Sequence, residues 1–541
     1  MHAAPVLVAG AGPVGLAAAL SLAQSGIAVR IIDRLDKPTN QSRAAIIHAR
    51  TLEMFERLGI VDDFLAIGVK VHGASLFGPG GALLARPNMD HLPSHYHYML
   101  GVDQCTTERL LTEHLNALGV AVERQVEITG FKQSGTGVSA TLKHADGSET
   151  AEEFSYLLGT DGARSTVRHG LDLQLEGETL DATWITADVK IRWDRPPDEA
   201  VVYLSLEGIA FIAPMNNDRW RVIVNVPKIT AAEAEKITLE GVQDIVTRRF
   251  GIDAPLYDPV WISPFSINTR MTPTMRNGRV FLAGDASHVH SPLGGQGMNT
   301  GIQDSLNLAW KLALVLKGTA SERLLDSYNP ERHENAKQLL SKVGPATKMI
   351  NLRQPVVVEV RNLVIRTLSQ LGLTAGIARI FSMLEIAYPH SPVVEDHRAS
   401  WLDYGVHAGY RAPDAEGLHY GDDTPRRLFE IWKGDPRHQL LLFSGRKPKA
   451  EQLSALAEFA SEFAAFDDFL KITFITDEGF VDGAAVDSEG AAHEAYGVGG
   501  PACFLVRPDG YIAFRGPTTE LSALRDYVAK WYPGASSAAM N

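Results

Sequence analysis

The chain has 541 residues, 45% of them apolar and 21% charged, and a formal net charge of −13. That length suits two to four domains of roughly 150 residues with ample core, and the acidic balance argues against nucleic acid or an anionic membrane as partner. The only cysteines, Cys105 and Cys503, exclude a disulfide framework, a CxxC redox pair and a cysteine-rich metal site, and suit a reducing cytoplasm.

Residues 3 to 29 carry no charge, but Gly10, Gly12, Pro13, Gly15 and Gly26 interrupt the run and no basic segment precedes it. Neither a signal peptide nor a membrane span is expected. VLVAGAGPVGLAAALSLAQSG reads instead as a buried strand over 6–8, a GxGxxG turn and a helix from about 14 to 24. Gly10 permits the tight turn, Gly12 lets backbone approach a pyrophosphate, and Gly15 lets the helix pack on the strand. A second strand over 27–32 ends in Asp33, 18 residues after Gly15, where an acid suits ribose hydroxyls. This combination predicts a dinucleotide site.

Further along, His95 and His97 alternate in HYHYM, which suggests a strand face; no carboxylate or cysteine lies at ligand spacing, so no metal site is expected. YLLGTDGARSTVR (156–168) is an apolar strand ending in Asp161-Gly162, and 201–227 alternates as the strands of a sheet do. VFLAGD (280–285) is another apolar strand, ending in Gly284-Asp285. Four more glycines follow, and then Ile302, Leu306, Ala309, Ala313 and Leu316 mark one face of a helix placed from near Asn299. A helix N-terminus fed by a glycine loop presents unpaired N–H groups and positive partial charge, so this stretch suits an electron-rich ligand.

Helical segments run on to about 395, and the texture then changes. HQLLLFSG (438–445) and KITFIT (471–476) read as strands around a helix over 451–465. GPACFLVRPDGYIAFRG gives two strands about a Pro-Asp-Gly turn, and 519–531 a closing helix.

GxGxxG, the DG of Asp161-Gly162 and the GD of Gly284-Asp285, in this order, resemble the flavoprotein aromatic hydroxylases, the single-component FAD-dependent monooxygenases of the para-hydroxybenzoate and phenol hydroxylase type. The resemblance implies an α/β fold with a discontinuous Rossmann-type FAD-binding domain (1–75, 100–175, 270–340) and an interleaved β-sheet substrate domain (76–99, 176–269). A helical connector (341–399) and a thioredoxin-like domain without CxxC (400–541) would follow, the latter a structural or dimer-supporting module with Pro501 at its cis-proline position. A homodimer stays open.

Gly10, Gly12, Gly15 and Asp33 would hold the FAD dinucleotide. The resemblance further implies that Asp285 accepts a hydrogen bond from the ribityl chain, and that Arg43 and Gln104 contact the cofactor. Asp161 would serve FAD and NAD(P)H, and Pro292 with Gly295, Gly297, Met298 and Asn299 would line the isoalloxazine ring. NAD(P)H would reduce the flavin, O2 would add at C4a, and the hydroperoxide would hydroxylate a phenolic ring. Tyr203 falls where para-hydroxybenzoate hydroxylase places its phenol-activating tyrosine, making Tyr203 and Pro292 the candidate catalytic residues. Ala213 and Met215 replace the residues that hold the substrate carboxylate there, which argues for a larger, less acidic phenol. A polycyclic aromatic polyketide as substrate, and a flavin dehydrogenase or oxidase without oxygen insertion, are the alternatives.

Overall fold

A computed structural model describes residues 4–39, 42, 44–291, 294–350, 354–372, 375–397, 405–422, 424–479 and 483–535. The chain opens with strand β1 (Val6–Ala9), helix α1 (Pro13–Gln24) and strand β2 (Val29–Asp33). Helix α2 (Gln104–Ala117) starts at Asp103, whose carboxylate accepts from the Thr106 amide, and strand β3 (Tyr156–Gly159) follows. β1 is buried throughout and pairs in parallel with β2 on one side and β3 on the other. A near-continuous apolar run suits such a strand, because both its faces are covered: Val6 and Val8 share a core with α1, and Leu7 and Ala9 pack against a three-stranded antiparallel sheet of residues 127–154.

A second layer is an eight-stranded sheet. Its main strands are β4 (Glu176–Ile191), β5 (Glu199–Leu204), β6 (Ile209–Met215), β7 (Arg219–Val226) and, after helix α3 (Leu239–Phe250), β8 (Leu256–Met271). Side chains of these strands alternate between two cores. Val201, Ala210, Ile212, Val222 and Val224 pack with Val242, Val246 and Phe250 of α3. Phe211, Ala213 and Met215 instead join the core that holds Leu16, Ile46 and Ile302.

Strand β9 (Val280–Leu282) returns to the first sheet beside β3, and helix α4 (Gln296–Leu316) leaves its edge. The helix begins at Gln296, one turn before the expected start near Asn299. Helices α5 (Tyr328–Ile350) and α6 (Pro355–Gln370) lead to the last domain. There strand β10 (His438–Phe443), helix α7 (Ala450–Ser461), strand β11 (Leu470–Thr476), strands β12 (Ala502–Val506) and β13 (Ile512–Pro517) and helix α8 (Leu521–Trp531) follow in turn. β10 pairs in parallel with β11 and antiparallel with β12, which forms a hairpin with β13.

Two further expectations differ from the structure. Residues 95–98 are not a strand; extended pairing starts only at Met99. No peptide bond among the described residues is cis, so Pro501 follows a trans bond. Cys503 is buried, its Sγ donates to the Gly516 carbonyl, and burial pushes its thiol up to about 12. No helix among the described residues is long and apolar enough to cross a membrane.

Candidate active site

The glycines of the first turn do three separate jobs. Gly10 has φ +106°, and a Cβ there would lie 2.6 Å from the Thr160 carbonyl oxygen. A Cβ on Gly15 would come within 1.9 Å of the Gly10 carbonyl oxygen, so the close contact of helix and strand admits only hydrogen. Gly12 is different: nothing lies within 4 Å of a Cβ built on it. It caps α1 in extended backbone without a side-chain hydrogen bond, so no side chain covers the first turn of the helix. Such a helix N-terminus is a ready anion site.

Asp33 accepts from the Ala11 amide at 2.8 Å and so holds the turn as well as the end of β2. Asp161 accepts from the amides of Thr166 and Val167 through Oδ2, while its Oδ1 is buried without a partner. Burial pushes its carboxyl above the usual range, despite Ser165 and those amides, and an outside donor would reverse that. Gln104 donates from Nε2 to Glu108, and its backbone amide reaches Ser42 Oγ at 2.9 Å. Asp285 is exposed on the 3-10 turn Gly284–Ala286 that follows β9. Arg43 and Pro292 lie outside the described residues.

The opening of α4 is the glycine-rich stretch that follows Asp285. Gly294 and Gly295 have φ +84° and +65°, which side chains disfavour, and Gly295 caps the helix with no side chain over its first amides. Gly297 is within the helix, where a Cβ would meet only the His290 ring at 3.7 Å. Met298 is half-buried. The Asn299 side chain is spoken for: it accepts from the His48 amide and donates to the carbonyls of Ile46 and Gly295. Its part toward any ligand is therefore through backbone. His48 Nε2 lies 2.8 Å from the Gly294 carbonyl oxygen, and burial pushes its imidazole down to about 4. Burial and the neighbouring His288 push His290 down to about 4 also, so neutral rings flank the loop.

Tyr203 is not at this site. Its ring stacks on Phe77 and packs near Phe250, and its hydroxyl accepts from Arg195 at 3.0 Å, all on the α3 side of the sheet. Val202 and Leu204 take the opposite face with Trp184 and Ile267. A one-residue shift of register moves every side chain to the other face, and that shift separates the expected tyrosine from the cleft.

Other groups at the cleft were not anticipated. Asp304 is fully buried near the start of α4 and accepts from the Gly284 amide, His288 Nε2 and Arg332 Nε at 3.0, 2.8 and 2.7 Å. Burial would raise its carboxyl, but Arg332 and His288 hold it below its usual range. On the sheet, Asp188 clasps Arg221 with both oxygens, at 2.6 and 2.7 Å, and also accepts from Trp261 Nε1; Arg221 reaches on to Ser42 Oγ. An arginine at an inward position of RWRVIVNV was the available signal.

Residues 3–343 match the family model for an FAD binding domain, and residues 406–535 match that for the aromatic-ring hydroxylase C-terminal domain. The chain belongs to the FAD-dependent aromatic-ring hydroxylases. The hydroxylase is 35% identical to 6-methylpretetramide 4-monooxygenase of Streptomyces rimosus, over 99% of its own length and 96% of that protein's. It is 34% identical to pentachlorophenol 4-monooxygenase of Sphingobium chlorophenolicum, over 62% of its length and 63% of that protein's. Among solved structures, an anhydrotetracycline hydroxylase from Streptomyces rimosus superposes with a TM-score of 0.75 and 29% identity, covering 98% and 99% of the two chains. The hydroxylase is an FAD-dependent aromatic monooxygenase. The open cradle over Gly12, the partnerless Asp161 oxygen and the uncapped α4 amides fit that cofactor.

Glu108 offers a pH test of the cofactor domain. Burial raises its carboxyl to about 7, against 4.5 for an ordinary glutamate, with Gln104 opposing. The folded state therefore holds this proton more tightly than the unfolded chain. Stability is lost as pH rises from about 4.5 through 7. Glu108→Gln, which mimics the protonated form, is expected to be more stable than the parent at pH 8 by on the order of 2 kcal/mol, and equal to it at pH 4. Denaturation midpoints at the two pH values check this; a constant difference would remove Glu108 as the cause.

Proposed function

We propose that the hydroxylase inserts one atom of O2 into a phenolic ring of a polycyclic aromatic polyketide, with NAD(P)H as electron donor. The observation that carries this reading is the sheet face opposite α3. Phe211, Ala213 and Met215 make it apolar where it shares a core with Ile46 and Met298. Its arginine, Arg221, is neutralised by Asp188, so it does not serve a substrate carboxylate. A large, flat, uncharged ring system suits such a face better than a small acidic phenol. The end-to-end match to a tetracyclic-polyketide enzyme, against a partial match to the pentachlorophenol enzyme, supports the same choice.

FAD, when bound, supplies the oxygen-activating chemistry. Gly12 and the α1 amides would take its pyrophosphate, Asp33 its ribose and Asp285 its ribityl chain, with Asp161, Gln104 and Arg43 as further contacts. The amides of Gly297, Met298 and Asn299 would point at the pyrimidine edge, where fixed donors toward developing negative charge contribute on the order of 3 kcal/mol each. Neutral His48 and His290 hold the loop without adding a titrating charge beside it. The core of β10, α7, β11, the β12–β13 hairpin and α8 supports a thioredoxin-like reading of the last domain, without thiol chemistry.

The test is NADPH oxidation with 18O2. Three- and four-ring phenols are expected to stimulate oxidation at least tenfold over phenol, and to gain one labelled oxygen. Equal stimulation by simple phenols would replace the substrate class; oxidation of substrate without label would replace the reaction.

A further inference from the structure

Helix α6 has two apolar faces, and only one is used. Val358 and Arg361 are buried, and Ile365 packs against the sheet with Trp184 and Leu204. On the other side, Val356, Val360, Leu363, Val364, Leu368 and Leu371 are exposed, with Val356 at 73%, Leu363 at 64% and Leu371 at 65%. Their spacing places them on one side of the helix. Nothing among the described residues covers them. Together they amount to roughly 500 Å² of contiguous apolar surface, the scale at which a patch on a monomer usually has a partner.

We propose that this face is the seat of a second copy of the same chain, joined through an antiparallel two-fold contact of the two α6 helices. Three observations select that occupant. The stripe is self-complementary: Val356 with Leu371, Val360 with Thr367, and Leu363 with Val364 stand symmetrically about the midpoint between 363 and 364. A two-fold axis there lays each residue on its counterpart, as an isologous interface requires.

The charges agree with it. Glu359 and Arg366 are exposed, two turns apart on one flank of the stripe. In an antiparallel pair like flanks face each other, which brings Glu359 to within about 3 Å, along the axis, of Arg366 in the second copy. Both ends of the contact gain the pair.

The area agrees also. Two such faces remove about 1,000 Å² from water, the size at which a specific interface begins. A lipid surface suits the face less well. Interfacial helices carry lysine and arginine on their polar side, whereas α6 offers only Glu359, Arg361 and Arg366, and the chain as a whole carries −13.

Sedimentation velocity of the full-length flavin-loaded protein, across a hundredfold range of concentration, tests the proposal. A dimer is expected, and Val360→Glu with Leu363→Glu should halve the particle mass while flavin content and circular dichroism stay unchanged. Glu359→Arg alone should weaken the dimer at least tenfold, and Glu359→Arg with Arg366→Glu should restore it. Leu363→Cys under mild oxidation should yield a covalent dimer. A parent protein that is monomeric throughout, or a dimer that survives both glutamates, overturns the proposal. Flotation of the monomeric parent with neutral or anionic phosphatidylcholine–phosphatidylserine vesicles would assign the face to lipid instead.

Discussion

The Gly12→Val protein is expected to fold normally and to purify without yellow colour. Gly12 sits at φ −77° and ψ −179°, extended backbone in which a β-branched residue is at ease. A Cβ there touches nothing within 4 Å, so the protein itself has no objection. The side chain would stand in the open space at the N-terminus of α1, where a pyrophosphate would need to lie. FAD affinity should fall at least a hundredfold, about 2.7 kcal/mol. Gly10→Val and Gly15→Val make the contrast, because they meet backbone at 2.6 and 1.9 Å and should fail to fold. The measurement is bound flavin per chain together with circular dichroism. A folded Gly12→Val protein that keeps FAD at parental affinity would move the dinucleotide away from this turn.

Glu331→Gln is expected to be strongly destabilising although it is near-isosteric. Glu331 is fully buried in α5 and accepts from Asn307 and Lys311 of α4, from both terminal nitrogens of Arg507 and from Ser391. Burial would raise its carboxyl, but Arg507 and Lys311 hold it far below the usual range. Burial also lowers Lys311 to about 8, although Glu331 opposes it. Amide in place of carboxylate keeps the size and removes the charge. It leaves a lysine and an arginine in the interior with Asp509 as their nearby acid. Breaking one side of such a cluster costs about 3–5 kcal/mol, or roughly 3–5 °C in the thermal midpoint of a chain this long. Flavin release should shift down with it, since α4 runs from the glycine loop into the cluster. An unchanged midpoint would show that the charges are solvated in solution.

These two sites also show what the chain discloses on reading. Gly10, Gly12 and Gly15 are legible because each role is local: a turn, an approach and a close pack, all within six residues. The strands that lead to Asp161 and Asp285 are legible for the same reason. Tyr203 was misplaced because alternation identifies a strand without saying which face meets the cofactor; only pairing and the α3 core decide it. Glu331 and Arg507 were invisible, being 176 residues apart. Asp509 was read as the middle of a Pro-Asp-Gly turn, which it is, while its carboxylate reaches Asn307 Nδ2 at 3.1 Å in a different domain. Arg221 stood in plain view as a charge in an apolar strand, but its partner Asp188 lies on another strand 33 residues away. Short-range backbone demands show in sequence; pairings across the fold do not.

Helix α4 spans 21 residues, about 30 Å, with its uncapped end at the glycine loop and Asn307 and Lys311 further along it, against Glu331, Arg507 and Asp509. The last domain therefore does not behave as an exchangeable cassette. A chimera that takes residues 406–535 from a relative imports its own residues at 507 and 509, while 307, 311 and 331 stay with the host. Recombination at the connector succeeds only when both parents carry the same interior charges, or when the three host positions travel with the graft.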